Sequence, residues 1–161
     1  MFVARLLDTL FPPRGSELLV RNATYDTLAE VLSPSLLPQH EHAIISLLPY
    51  QEPLVQACIV EAKFHNNRKA SELLSRVLCD YLLEALSDTS ALTHTRTILI
   101  PMPLSAKRYR ERGYNQVEKV LRGLAPSDEM DIRIDTTLLM RTRDTVPQTT
   151  LPKHARAENV R

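Results

Sequence analysis

The stretch TRTILIPMPL, residues 95–104, is where the apolar pattern of the chain changes period. Upstream, apolar side chains recur every three or four positions. Here Ile98, Leu99 and Ile100 form a short continuous run closed by Pro101 and Pro103, the pattern of a strand buried on both faces. Before it, Leu54, Val55, Cys58, Ile59 and Ala62 follow Pro53, a favourable first-turn residue, and predict a helix that stops near Asn66-Asn67. Leu73, Leu74, Val77, Leu78, Tyr81, Leu82, Ala85 and Leu86 then predict one long helix over Lys69–Ser87, packed on the sheet. A buried strand between helices implies an α/β layer.

After the strand, Val117–Leu124 reads as a helix and APSDEMD, residues 125–131, as a loop. IRI (132–134) and TLLMR (137–141) have the composition of strand segments. Residues 1–48 form a helical and irregular segment distinct from a domain over 49–161. Residues 2–10 predict a short amphipathic helix closed by Phe11-Pro12-Pro13, and Thr27 with Glu30 suits the cap of a second one. SPSLLPQHEH (33–42) is a loop by its prolines, and His40 and His42 on it lack a third metal ligand nearby.

At 161 residues the length fits one modest core, and 43% apolar with 24% charged residues is ordinary for a globular chain. The net charge of +1 argues against a general polyanion binder. That total conceals an asymmetry: residues 1–100 carry 8 Lys and Arg against 11 Asp and Glu, whereas residues 101–161 carry 12 against 8. The second part therefore favours phosphate ligands locally. Cys58 and Cys79 fall on apolar helical positions and read as small hydrophobes in a reducing compartment, not as a disulfide or zinc site. No run approaches the ~20 apolar residues of a membrane span, and the expected location is cytoplasmic.

The chemistry concentrates in PLSAKRYRERGYNQ, residues 103–116. Ligands of open α/β sheets sit beyond the carboxyl ends of strands, which places the Pro101–Ser105 loop at the expected site. Lys107, Arg108, Arg110 and Arg112 follow directly, and guanidinium forks suit phosphate oxygens. Gly113 lets the chain turn, Asn115 suits a cap for the next helix and Gln116 suits a bond to the loop, so the amide pair marks where a basic loop becomes a helix. A second basic set, Arg141, Arg143, Lys153, Arg156 and Arg161, flanks Thr145 and Gln148. Arg141 and Arg143, two apart on a strand, would point the same way.

ILIPMPLSAKRYRERGYNQVE and LLMRTRDTVPQTTLPKHARAENVR, in that order, resemble the ComF family of phosphoribosyltransferase-like proteins, and EAKFHNNRKASELL resembles the segment that precedes them there. The match covers roughly residues 50–161 through Pro-x-Pro, Arg-Gly-aromatic-Asn-Gln, Arg-x-Arg-x-Thr-x-x-Gln and Arg-x-x-Asn-Val-Arg elements. It implies a type I phosphoribosyltransferase-like fold, a partial parallel sheet flanked by helices. Pro101, Pro103, Leu104 and Ser105 would form the pyrophosphate loop and residues 143–152 the mobile flap. Lys63, Arg108, Arg112, Gly113, Asn115, Gln116, Arg141, Arg143, Thr145, Gln148, Arg156 and Asn159 would complete a phosphate site, with catalytic residues unassigned. The implied ligand is phosphoribosyl pyrophosphate, with magnesium accompanying it in the complete protein and none held by this chain. The family is linked to DNA uptake in competence.

Two departures accompany the match. The family opens with a four-cysteine zinc ribbon, and no cysteine precedes Cys58 here. The family also continues past Asn-Val-Arg into a strand with paired aspartates and a Thr-Thr-Gly loop for the ribose 5-phosphate. RIDTTLL (133–139) lacks the second acid and the glycine, so the expectation is a carboxyl-terminally truncated chain, weak in phosphoribosyl pyrophosphate binding and inactive alone. Two other readings stay open: a non-enzymatic module meeting single-stranded DNA or a protein of the uptake machinery, and an inactive remnant.

Overall fold

The structure, a computed structural model, describes residues 12–37, 44–93, 96–124, 131–145 and 151–152. The sequence-based readings of residues 2–10, of His40 and His42, of the 125–130 loop, and of Gln148, Lys153, Arg156, Asn159 and Arg161 lie outside the described residues. The chain is mixed α/β: α1 (Gly15–Asn22), α2 (Tyr25–Ala29), β1 (Ser35–Leu37), β2 (Ile44–Ser46), α3 (Pro53–Phe64), α4 (Arg68–Thr93), β3 (Thr97–Leu99), α5 (Ala106–Arg112), α6 (Gln116–Arg122) and β4 (Ile132–Ile134).

The helical stripes fold as their period dictates. Pro53 takes the first turn of α3, and the helix stops at the His65 cap, with Asn66 just beyond it in the left-handed region at φ 52°. α4 is a single helix of 26 residues, about 39 Å at ~1.5 Å per residue, running past the predicted Ser87 end. Val20, Leu28, Val55, Cys58, Ala70, Leu73 and Val77 form the core where α1–α4 meet. Burial pushes the Cys58 thiol up to about 11, which keeps it protonated, and Cys58 and Cys79 are both free. Among the described residues no helix is long and apolar enough to cross a membrane.

Several expectations need correction. Among the described residues α4 packs chiefly against α1, α2, α3 and α6, helices where the sheet was predicted. β3 is a strand, but Ile98 is 46% and Ile100 38% exposed. Among the described residues β3 pairs only with β4, in parallel, through Thr97↔Ile132, Ile98↔Arg133 and Leu99↔Ile134. A two-stranded sheet has no interior strand, and a continuous apolar run cannot report that in advance.

TLLMR is not a strand: just past β4 the Asp135 carboxylate accepts from the Thr137 amide (2.8 Å), the Thr137 hydroxyl (2.7 Å) and the Leu138 amide (3.1 Å). That local capture turns the chain out of the sheet and leaves Leu138, Leu139 and Met140 exposed. Arg141 and Arg143 consequently sit on a loop, where the two-residue repeat of a strand does not apply. Finally, part of the proline-bounded loop is strand β1, paired antiparallel with β2 from Ser35↔Ser46 to Leu37↔Ile44. Near the amino end, the α2 cap is Thr24 in a reciprocal box with Thr27, three residues before the predicted one.

Candidate functional site

The site is assembled at the carboxyl end of β3. The Pro101–Ser105 segment leaves the strand without regular structure, and Pro101 and Ser105 are buried. The Ser105 hydroxyl accepts the Arg108 amide at 3.3 Å, so the basic run is a capped helix, α5, and not the loop its charge suggested. Gly113 ends α5 in the left-handed region at φ 76°, the position where a side chain is strained. Asn115, 8% exposed, then does two things. Its carbonyl oxygen accepts the Val117 (2.9 Å) and Glu118 (3.4 Å) amides to cap α6, while its amide group donates to the Met102 carbonyl at 3.0 Å. One side chain therefore fastens the start of α6 to the Pro-x-Pro loop.

Tyr114 brings α3 to this hairpin. Its hydroxyl donates to the Lys63 carbonyl and accepts the Asn66 amide, both at 3.0 Å. Lys63 thereby reaches α5: its ammonium lies 4.9 Å from the centroid of the Phe64 ring and the Arg112 guanidinium 5.4 Å from the same ring. Partial burial, then the positive charges of Arg112 and Arg108, hold the Lys63 amine below the usual lysine range. Arg112 donates to the Gln116 side-chain carbonyl at 3.2 Å, so Gln116 braces an arginine where a bond to the loop was expected.

Arg108 extends the group toward the residues after β4. Its guanidinium donates to the Thr145 carbonyl at 2.9 Å, and Arg141 donates to the Thr145 hydroxyl and, at 3.3 Å, to the Arg143 carbonyl. Among the described residues Lys63, Arg108, Arg112 and Arg141 make no ion pair with a carboxylate. Such a set of cations repels itself, and an anion bound among them would relieve that repulsion.

Of the sequence-derived set, Lys63, Ser105, Arg108, Arg112, Asn115 and Gln116 come together, joined to Arg141, Arg143 and Thr145 through Arg108. Pro103 and Leu104 line the loop half-buried, and Gly113 is exposed and acts through the backbone. Two contributors escaped the sequence reading, Tyr114 as the tie to α3 and Phe64 as the shared ring, and Gln116, which was expected, takes a different role as the brace on Arg112. The Arg-Gly-aromatic element was the available signal for Tyr114, but its partner lies 51 positions away. Among the described residues no three His, Cys, Asp or Glu side chains converge as a metal site.

Compared with models of protein families, with curated proteins and with solved structures, the chain matches none.

Proposed function

We propose that this chain is a ComF-type, phosphoribosyltransferase-like protein whose Lys63, Arg108 and Arg112 receive the phosphate or pyrophosphate end of phosphoribosyl pyrophosphate or a related ligand. One observation carries the reading: three cations from two separate elements crowd together at the carboxyl end of a parallel strand, with no carboxylate paired to them among the described residues. A parallel pair joined through a helical crossover, with its loop and cationic side chains at the strand end, supports a type I phosphoribosyltransferase-like arrangement. The chemistry that suits such a site is positioning and stabilisation of departing pyrophosphate, which needs no general-base triad. Magnesium enters as a companion of the ligand's phosphates, held by phosphate oxygens and water, and no step here depends on it. The link to DNA uptake rests on the family resemblance.

Calorimetry with pyrophosphate and with phosphoribosyl pyrophosphate, with and without magnesium, tests the reading. Weak, salt-sensitive pyrophosphate binding is expected, with phosphoribosyl pyrophosphate bound no better, and Arg112→Ala should weaken it further, by about 1.5–3 kcal/mol if the guanidinium makes a charge-assisted contact. Tyr109, exposed on the basic helix, favours a second reading in which α5 meets single-stranded DNA by stacking. Binding of an oligonucleotide but of neither phosphate compound would replace the first reading with the second.

A further inference from the structure

An apolar groove adjoins the cationic group. It has a volume of about 440 Å³ and is walled by Leu47 and Leu48 just after β2, Leu74 and Leu78 of α4, and Val117 and Val120 of α6. All six walls are half-buried, so the groove is open to solvent. Its polar lining is Lys63 and Gln116. Those two residues also belong to the anion site: Lys63 feels Arg108 and Arg112, and Gln116 accepts the Arg112 guanidinium. The cations therefore stand at one end of an otherwise apolar trough. Small-molecule sites of ~300–1,000 Å³ have this construction, mostly apolar walls with a few convergent polar groups that fix orientation.

We propose that the groove and the cationic group form one site for an amphiphilic anion, a phosphate ester whose organic half is apolar and compact. The phosphate would sit at Lys63 and Arg112, and the apolar half would lie along Leu74, Leu78 and Val117. The charge complementarity is specific: a neutral apolar molecule would leave Lys63 unpaired at the rim, and a bare phosphate would leave the groove walls wet. This inference rests on the anion-binding reading above for the phosphate end and departs from phosphoribosyl pyrophosphate for the rest of the ligand, since a hydroxyl-rich ribose does not match apolar walls.

The test uses 1-naphthyl phosphate, 1-naphthol and inorganic phosphate, titrated into the full chain. The protein contains no tryptophan, so naphthyl fluorescence is read directly. 1-Naphthyl phosphate is expected to bind at least about ten-fold more tightly than either other compound, about 1.4 kcal/mol. Leu78→Gln should remove that advantage while leaving inorganic phosphate unchanged, and Val117→Thr, nearly isosteric, should reduce it with the fold intact. Lys63→Met should weaken both phosphates and spare 1-naphthol. Equal affinity for 1-naphthyl phosphate and inorganic phosphate would overturn the groove assignment and leave the anion site standing. Equal affinity for 1-naphthol and 1-naphthyl phosphate would overturn it by separating groove from cations. Dimerisation abolished by Leu78→Gln would give the groove to a second copy of the chain. Failure of both phosphates to bind would sink the anion reading itself.

Discussion

Glu61 is the residue whose role the sequence hid most completely. It sits fully buried on α3 and accepts from Arg14 Nε (3.1 Å), Arg14 Nη2 (3.0 Å), Ser16 (2.7 Å) and Asn67 (3.3 Å). Chiefly because of the Arg14 hydrogen bonds, and against the cost of burial, its carboxyl is lowered from 4.5 to about 2. A depressed carboxyl contributes stability above its unfolded value that is lost as pH falls through the folded one. The melting temperature should therefore decline from about pH 4.5 toward about pH 2. Glu61→Gln should cost roughly 1.5–3 kcal/mol at neutral pH, as for hydrogen bonds to a charged group, and should flatten that decline. A variant with the wild-type acid profile would remove Glu61 as its source. Arg14 and Glu61 stand 47 positions apart, and no periodicity links them. Gly113 and Asn115, by contrast, were legible because a left-handed stop and a helix cap are local events. Lys63 adds a prediction at the same scale. With its amine lowered, pyrophosphate affinity should fall on the alkaline side before an ordinary lysine, at 10.5, would titrate. Lys63→Arg, which stays charged, should push that fall to higher pH. An unchanged profile would place Lys63 outside the site.

Among the elements, α3, α4, α6 and the parallel strands β3 and β4 were legible, whereas α1, α5 and the β1–β2 pair were not. α3 and α4 declare themselves by stripes long enough to average out exceptions, whereas β1 and β2 are three residues each, too short for a period. Charge misled at α5, where a dense basic run reads as a loop although Ser105 and Gly113 punctuate it as a helix. The contact between α4 and α6 was invisible in advance, and it depends on one glycine. A Cβ on Gly123 would lie 2.9 Å from the Ser75 hydroxyl oxygen and 3.1 Å from its Cβ. Ser75 is itself buried, and its hydroxyl has no hydrogen-bond partner among the described residues. Gly123 has an ordinary helical φ of −83°, so alanine there meets a packing problem and not a backbone one. Gly123→Ala is expected to destabilise by about 1–3 kcal/mol, the usual cost of overpacking. Ser75→Ala alone should be neutral or stabilising, since it deletes an unpaired buried hydroxyl. Urea denaturation of the double variant should recover part of the loss. Strict additivity of the two changes would mean the helices do not meet through this pair.

Across the whole molecule, the stable part and the functional part separate. The core lies among α1–α4, while the arginines of the cationic group and the parallel strands stand beside it on shorter elements that bury less, joined by Lys63 from α3. The α/β class follows from the sequence because a period switch is visible in a single chain. The number of strands does not, because pairing is non-local. A net charge of +1 supplies little repulsion between copies of the chain, and Ile98 presents an apolar side chain from a strand paired on one side among the described residues. The chain should consequently associate as its concentration rises, by a route distinct from the groove. Ile98→Lys, a charge on an exposed edge position, should suppress that association in sedimentation and leave stability within about 0.5 kcal/mol, the range of ordinary surface substitutions. Leu78→Gln should not affect it. If Ile98→Lys unfolds the chain instead, the strand is held by burial after all, and the doubly covered strand expected from the sequence is the better description of residues 97–100.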